Sequence, residues 1–190
     1  MVNLTRIYTR TGDAGSTRLG DMSETTKTDL RLAAYADVDE ANAHIGVALA
    51  TGGLDDDVAA LLTRVQNDLF DVGADLCTPV VADPEYPPLR IEQEYVDRLE
   101  QWCDHYNEDL PKLRSFILNG GTPAAANLHV ARTVVRRAER AAWVAWAKHE
   151  STMNVLALTY LNRLSDLLFI LARHANRQNG DVLWKPGGER

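Results

Sequence analysis

The sequence predicts an all-α fold: a five-helix bundle with ferritin-like up-down packing, preceded by an extended N-terminal segment. Two observations lead there. Apolar residues recur at helical spacing through five long stretches, while strand-like alternation is limited to the first few residues. Prolines and a glycine pair fall between those stretches and break the chain into them. At 190 residues, one domain with a sizeable core accounts for the chain: an N-terminal loop segment over 1–28, the bundle over 29–177 and a loose tail over 178–190.

The first helix is expected over about 29–50, with Leu32, Ala36, Ile45 and Leu49 on one face. The second runs over about 55–76. Its Val58, Leu61, Leu62, Val65, Leu69, Val72 and Leu76 keep the spacing of a core-facing stripe, and Asp55, Asp56 and Asp57 suit the positive end of its dipole. Four prolines over 79–88 then impose a loop. The third helix begins near Ile91, carries Tyr95, Leu99, Trp102 and Tyr106, and is ended by Pro111. Gly120-Gly121 mark a turn, and Thr122-Pro123 reads as an N-cap followed by proline in the first helical turn. The fourth helix follows to about His149, and the fifth from after Ser151 to about Arg177. The stretch 155–172 is apolar almost all round, so this helix should be central. Gly180 and Gly187-Gly188 mark the tail.

Composition removes several function classes. Hydrophobic residues make up 45%, which excludes disorder. Acidic residues outnumber basic ones 27 to 20, a net charge of −7, so no global basic field invites nucleic acid and any anion site must be local. No stretch of about 18 uncharged apolar residues suggests a membrane span. Residues Met1 to Arg6 have no apolar signal region, so a cytoplasmic location is expected. Cys77 and Cys103 read as buried free thiols in a reducing compartment, without C-x-x-C or H-E-x-x-H zinc spacing. His44, His105, His129, His149 and His174 form no ligand set, and Trp102, Trp143 and Trp146 read as core or interface residues.

Three polar groupings point to chemistry. Thr9-Arg10-Thr11-Gly12-Asp13-Ala14-Gly15-Ser16-Thr17-Arg18 has glycines, hydroxyls and guanidiniums and almost nothing apolar, as a phosphate-holding loop requires. It is neither a Walker A loop nor a dinucleotide G-x-G-x-x-G, and a solvated turn has the same composition. In the fourth helix Arg132, Arg136 and Arg140 are successive i, i+4 neighbours with Glu139 beside them. Such a column is relieved by an anion, or it is a solvated face with Glu139 bridging Arg136 and Arg140. In the fifth helix Asn162 and Asp166 share a face within an apolar context, which suggests either a wet site or a buried hydrogen-bond network. Asp37, Asp39 and Glu40 could hold Mg²⁺ but more simply pair with arginines, and Lys27 alone would be an ordinary surface lysine.

The order of these motifs resembles a known family. Thr-Arg-Thr-Gly-Asp-x-Gly-Ser-Thr is followed by Lys27, Asp-Leu-Arg-x-x-Ala-Tyr-x-x-Val-Asp-Glu over 29–40, Gln66-Asn67-Asp68-Leu69-Phe70 and Phe-Ile-Leu-x-Gly-Gly over 116–121. His129-Val-Ala-Arg132-x-Val-Val-Arg136-Arg137-Ala-Glu139-Arg140 and Leu161-Asn162-Arg163-Leu164-Ser165-Asp166 complete the series. From about Ile7 to the end of the fifth helix the chain is similar to the trimeric corrinoid adenosyltransferases, which transfer the adenosyl group of ATP to cob(I)alamin. The resemblance implies ATP binding by Thr9, Arg10, Thr11, Gly12, Thr17, Arg18 and Lys27 with Arg136, Arg137, Glu139, Arg140 and Asn162. It implies that Asp39 pairs with Arg132 across a subunit boundary, and that Phe116 faces the lower side of the corrinoid. Arg132, Arg136, Asp39 and Phe116 are then the catalytic set, with Mg²⁺ on the ATP phosphates and cobalamin as substrate. A homotrimer with active sites between subunits is also implied, served by a cobalamin reductant system and an adenosylcobalamin-dependent enzyme. Ala14 stands where many members have Lys, and the variable segment 79–88 takes no role from the resemblance. A trimeric ATP-sensing or adenosylcobalamin-escorting module would use the same sites without turnover; no Walker motif or catalytic Asp supports a phosphotransferase.

Overall fold

The structure is a computed structural model that describes residues 7–189. A two-stranded hairpin, β1 (Ser16–Arg18) antiparallel to β2 (Glu24–Thr26), leads into α1 (Leu30–Thr51), α2 (Asp56–Cys77), α3 (Gln93–Asn107), α4 (Pro123–His149) and α5 (Val155–Ala175). Single 3-10 turns occupy Glu150–Thr152 and Gly187–Glu189. The alternation and the leader argument drawn from Met1 to Arg6 lie outside the described residues.

Local chemistry places the helix ends. Asp29 caps α1 by accepting from the Arg31 N–H, Thr122 caps α4 by accepting from the Ala125 N–H, and Asn154 caps α5 by accepting from the Leu156 N–H. Every apolar residue assigned to the stripe of the second helix is buried in α2. In α1 the buried face is Ala34, Val38, Ala41, Ile45 and Ala48. This corrects the expected face: Ala36 is exposed, and Leu32 and Leu49 are half-buried. The reason is packing against α4, which presents Ala131, Ala138, Ala142 and Ala145; small side chains on both helices let the backbones approach closely. α5 is central as expected, with Leu158, Leu161, Leu164, Leu167, Leu168 and Leu171 fully buried. By length and hydropathy alone α5 could cross a membrane, but here it supplies the core of the bundle.

Buried polar clasps join the helices. Arg31, 2% exposed, donates to the carbonyls of Leu76 (2.9 Å) and Thr152 (2.7 Å), tying α1 to the ends of α2 and the 3-10 turn before α5. Asp75 accepts from Arg90, the Ile91 N–H and Asn154. Asp68 accepts from Arg98 at 2.8 Å and Tyr160 at 3.2 Å. Cys77 and Cys103 are free but only half-buried, and Trp143 is exposed, its ring 6.1 Å from that of Trp146.

The tail is not loose. Leu118 N–H donates to the Val182 carbonyl (2.8 Å) and Trp184 N–H to the Phe116 carbonyl (2.7 Å), with Ile117 bridged to Leu183. Arg173, buried near the end of α5, donates to Asp181 and to the Pro111 carbonyl. A charged residue anchoring a tail that its glycines mark as a breaker is invisible to composition.

Candidate functional site

The sequence-nominated residues fall into three places. The first is the N-terminal loop, at the end of the bundle where α1 starts. The Gly12 carbonyl accepts from the Gly15 N–H, and the Gly15 carbonyl accepts from the Lys27 N–H at 2.8 Å, so the loop folds back on the strand that leads to α1. A Cβ on Gly12 would lie 3.0 Å from Lys27 Nζ and 3.2 Å from the Ser16 carbonyl, so the loop wraps the lysine closely at this glycine. Thr11, Gly12, Thr17 and Arg18 line an open polar hollow with Ser16 and Glu24. Thr9 and Thr11 hydroxyls are 2.9 Å apart, and Arg10 sits over the Tyr8 ring. The hairpin is docked by the Gly20 N–H, which donates to the Cys77 carbonyl.

Asp29 secures the loop to the bundle. It accepts from Thr25 in β2 and from His149 Nε2–H (3.1 Å) at the end of α4. Burial by itself raises this carboxyl, but the Arg31 N–H, His149, Thr25 and Lys148 outweigh it and hold the group below the usual range.

The second place is the middle of α4. Arg136 and Arg140 are exposed and have no ion pair among the described residues. Arg137 turns toward α1 and pairs with Asp37 and Glu40. The expected pairing of that acidic cluster with arginine therefore holds, but through Arg137. Glu139 does not bridge Arg136 and Arg140; it accepts from Asn162 Nδ2 of α5 at 3.0 Å. Asn162 and Asp166 are exposed, which overturns the buried-network alternative. The result is two free guanidiniums next to an oriented carboxylate–carboxamide pair.

The third place is the opposite end of the bundle from the loop. Phe116 is 80% exposed and stands edge-to-face to Trp184, their centroids 6.2 Å apart. Together with Leu113, Arg114, Asn119, Arg132 and Phe169 they border a hollow of about 690 Å³. Arg132 lies over the Phe169 ring, 5.8 Å from its centroid, and donates to Asn119 Oδ1 at 3.3 Å. Its Nε is buried without a partner among the described residues, and burial followed by the nearby Arg136 lowers its pKa. Such a guanidinium lacks the anion that would neutralise it.

Asp39 is exposed and makes no pair among the described residues. The antiparallel α1–α4 register, fixed by Asp29 opposite His149 and Thr51 opposite Asn127, puts Arg132 at the level of residues near 45. Asp39 is about 10 Å away along the axis, at 1.5 Å per residue, and no ion pair joins the two among the described residues. Asn119, Phe169 and Trp184 were not nominated from sequence. Asn119 was the unspecified position of Phe-Ile-Leu-x-Gly-Gly, Phe169 reads as core in an apolar helix, and Trp184 belongs to a tail that only the backbone ladder brings here.

Comparison with known proteins identifies the family. Residues 7–175 match the family described as cobalamin adenosyltransferase. The corrinoid adenosyltransferase of Mycobacterium tuberculosis is 65% identical over 189 residues, covering 100% of this chain and 97% of that protein. That of Bacillus subtilis is 43% identical over 179 residues, covering 92% and 89%. Among solved structures, a Phe-to-Ala variant of the PduO-type ATP:corrinoid adenosyltransferase from Lactobacillus reuteri, complexed with cobalamin and ATP, superposes with a TM-score of 0.86 at 37% identity, covering 95% of this chain and 99% of that one. With the ordered motifs, the five-helix bundle and nearly full-length matches all agreeing, this chain belongs to the cobalamin adenosyltransferase family.

Proposed function

We propose that the protein is an ATP:corrinoid adenosyltransferase that works as a homotrimer with its active sites between subunits. The observation that carries this reading is the exposed Phe116 at the lip of a large aromatic hollow beside the unneutralised Arg132. A bulky, flat, apolar substrate fits that hollow, and relatives in this family are described in complex with cobalamin and ATP.

In the reaction, Co(I) attacks the 5′ carbon of ATP. The cobalt–carbon bond forms, the carbon–oxygen bond breaks, and triphosphate leaves with the electron pair. No side chain has to be a nucleophile; the chain positions the substrates and stabilises charge. Lys27, Thr9, Arg10, Thr11, Gly12, Thr17 and Arg18 hold phosphate oxygens, and Arg136 and Arg140 neutralise the leaving triphosphate. Arg137 stiffens α4 against α1, so its contribution is indirect. The Glu139–Asn162 pair, oriented by its own hydrogen bond, hydrogen-bonds the nucleotide beside the two free guanidiniums. Phe116 covers the lower face of the corrinoid and excludes an axial ligand. Among the described residues no cluster of three His, Cys, Asp or Glu side chains could hold a metal. A magnesium ion would therefore arrive on the phosphate oxygens.

The assay is absorbance at the cobalt chromophore, with purified protein, ATP, Mg²⁺ and chemically reduced cobalamin, alongside triphosphate release. Conversion to adenosylcobalamin with stoichiometric triphosphate is expected. ATP binding without turnover would replace the enzyme by a sensor or escort module.

A further inference from the structure

Lys27, between β2 and α1, stands at the corner of a turn. The Asp29 N–H donates to the Thr26 carbonyl at 3.0 Å and so closes residues 26–29. The Lys27 N–H donates to the Gly15 carbonyl, and the Thr26 and Thr28 hydroxyls on either side of it are 3.0 Å apart. The lysine itself is exposed, so its aim depends on the backbone that carries it.

Asp29 locks this turn. A helix cap needs one carboxylate oxygen, and Asp29 uses Oδ1 for the Arg31 N–H at 2.9 Å. Its Oδ2 accepts from Thr25 Oγ1 at 3.2 Å, across the turn. His149 Nε2 lies 3.1 Å from Oδ1, and facing an ionised, acceptor-only carboxylate this nitrogen is the donor. Capping alone calls for neither Thr25 nor His149. The two side chains are largely shielded, 21% exposed for His149 and 13% for Asp29, so salt screens this pair less than a surface one. His149 is also fixed from behind. Its carbonyl accepts from Thr152 Oγ1 at 3.0 Å, and the Thr152 carbonyl accepts from the buried Arg31. A path of hydrogen bonds therefore runs from the bundle core through Thr152, His149 and Asp29 to the turn that carries Lys27.

We propose that His149, acting through Asp29, is a positioning residue for ATP: it fixes the turn at 26–29 so that Lys27 meets the phosphates already oriented. Ordering done in advance is not charged against binding. The proposal rests on the reading of Lys27 as a phosphate ligand. His149 needs no contact with nucleotide in this role. If it only docked one helix end on another, its loss would lower stability and leave the ATP affinity of the folded protein alone.

The test measures Mg·ATP affinity of the full chain by calorimetric titration without corrinoid, and kcat and KM for ATP in the cobalamin assay. Wild type, His149→Ala, His149→Gln, Lys27→Ala and the double variant of His149→Ala with Lys27→Ala are compared, with thermal midpoints as the check on folding. His149→Ala should weaken ATP about three- to tenfold, a part of the roughly 10- to 100-fold that a direct charge-assisted hydrogen bond carries. KM for ATP should rise while kcat changes less than about twofold, because a grip on phosphate made before the transition state is uniform binding. His149→Gln, whose carboxamide still donates to Asp29, should recover most of the affinity. In the Lys27→Ala background His149→Ala should weaken ATP no further, the coupling expected when one residue acts through the other. If His149→Ala does not fold, Asp29→Asn decides. Asparagine still caps α1 but lacks one of the two acceptor oxygens, so it should weaken ATP beside Lys27 and not in Lys27→Ala. Unchanged ATP affinity in folded His149→Ala, or an equal loss in both backgrounds, overturns the positioning role. Wild type that binds no ATP, or Lys27→Ala that binds it like wild type, overturns the reading of the phosphate loop as well. ATP bound and turned over without regard to His149 overturns the positioning role alone.

Discussion

Arg136 is exposed and unpaired one turn from Arg132, whose Nε is buried and orphaned, so α4 holds cationic groups that the chain does not neutralise. Arg136→Ala should therefore leave the fold intact and weaken ATP use about 10- to 100-fold, the equivalent of one charge-assisted hydrogen bond of about 1.5–3 kcal/mol. Arg137→Ala should instead lower the thermal midpoint slightly, since its partners are Asp37 and Glu40 on a solvated surface, and change ATP kinetics less. Identical ATP kinetics for wild type and Arg136→Ala would make the stripe a solvated face. Phe116 offers a separable test. A core phenylalanine costs about 3–5 kcal/mol on truncation, but this ring is exposed and touches chiefly Trp184, so Phe116→Ala should cost no more than about 1 kcal/mol. Activity from cob(II)alamin should fall further than activity from pre-reduced cob(I)alamin, and the bound cob(II) spectrum should move from four- to five-coordinate. A large drop in thermal stability with an unchanged spectrum would return Phe116 to a packing role. Cys103 carries the pH prediction. Burial first, then Asp166, push its thiol to about 12 from a usual value near 9. Its folded pKa is raised, so its stabilising contribution is complete below about 9 and is lost as pH climbs from there toward 12. Alkaline unfolding in that window should be relieved in Cys103→Ala, and at neutral pH iodoacetamide should modify unfolded protein far faster than folded.

The helices were legible because burial imposes a period. The stripe of α2 is made of branched apolar residues, and each one expected inside is inside. The face of α1 was misplaced because its contact with α4 is made by alanines, which occur on buried and exposed faces alike, as Ala34 and Ala36 do here. The hairpin escaped notice because three-residue strands such as Ser16–Arg18 are too short to alternate. In the site, the loop and the arginine column could be named from residue chemistry. That Arg137 serves α1 and Glu139 serves Asn162 depends on rotation about α4 relative to its neighbours, which spacing alone does not fix. The docked tail was hidden most completely, since backbone hydrogen bonds, side-chain bonds from Ser115 and Asn176 and one buried ion pair hold it. Asp181→Ala should expose this dependence. It strands the Arg173 guanidinium, with the Pro111 carbonyl as its remaining acceptor, and removing one member of a buried pair costs about 3–5 kcal/mol. Amide exchange at Leu118 and Trp184, whose N–H groups make the ladder, should accelerate with it. Unchanged exchange at both would show that the ladder holds the tail without the ion pair.

At the scale of the molecule, the parts assigned to one reaction lie at different levels of the bundle. Lys27 precedes α1, whose cap Asp29 is bonded to His149 at the far end of α4. Arg136 is thirteen residues back along α4, about 20 Å at 1.5 Å per residue, and Arg132 and Phe116 are farther still. That separation along the bundle favours the proposed arrangement, in which the loop and the arginine column serving one ATP come from different chains. A second chain supplying its loop to the α4 column of the first would resolve the mismatch, and would let Asp39 pair with an Arg132 of a neighbour. The surfaces for such an association are present. Val47 of α1 and Val130, Trp143 and Val144 of α4 are exposed apolar residues, next to the acidic and basic faces of the same two helices. Passing the loop from chain to chain in one sense would close after a small number of copies, three under the proposed function. Light scattering at micromolar concentration should therefore give a trimer mass, about three times the 21.1 kDa chain. Mixing Lys27→Ala and Arg136→Ala proteins, each impaired alone, should restore part of the activity after subunit exchange, since some sites then combine an intact loop with an intact column. A monomer that turns over at the wild-type rate, or mixed trimers without recovery, would place the loop and the column in the same chain and remove the shared site.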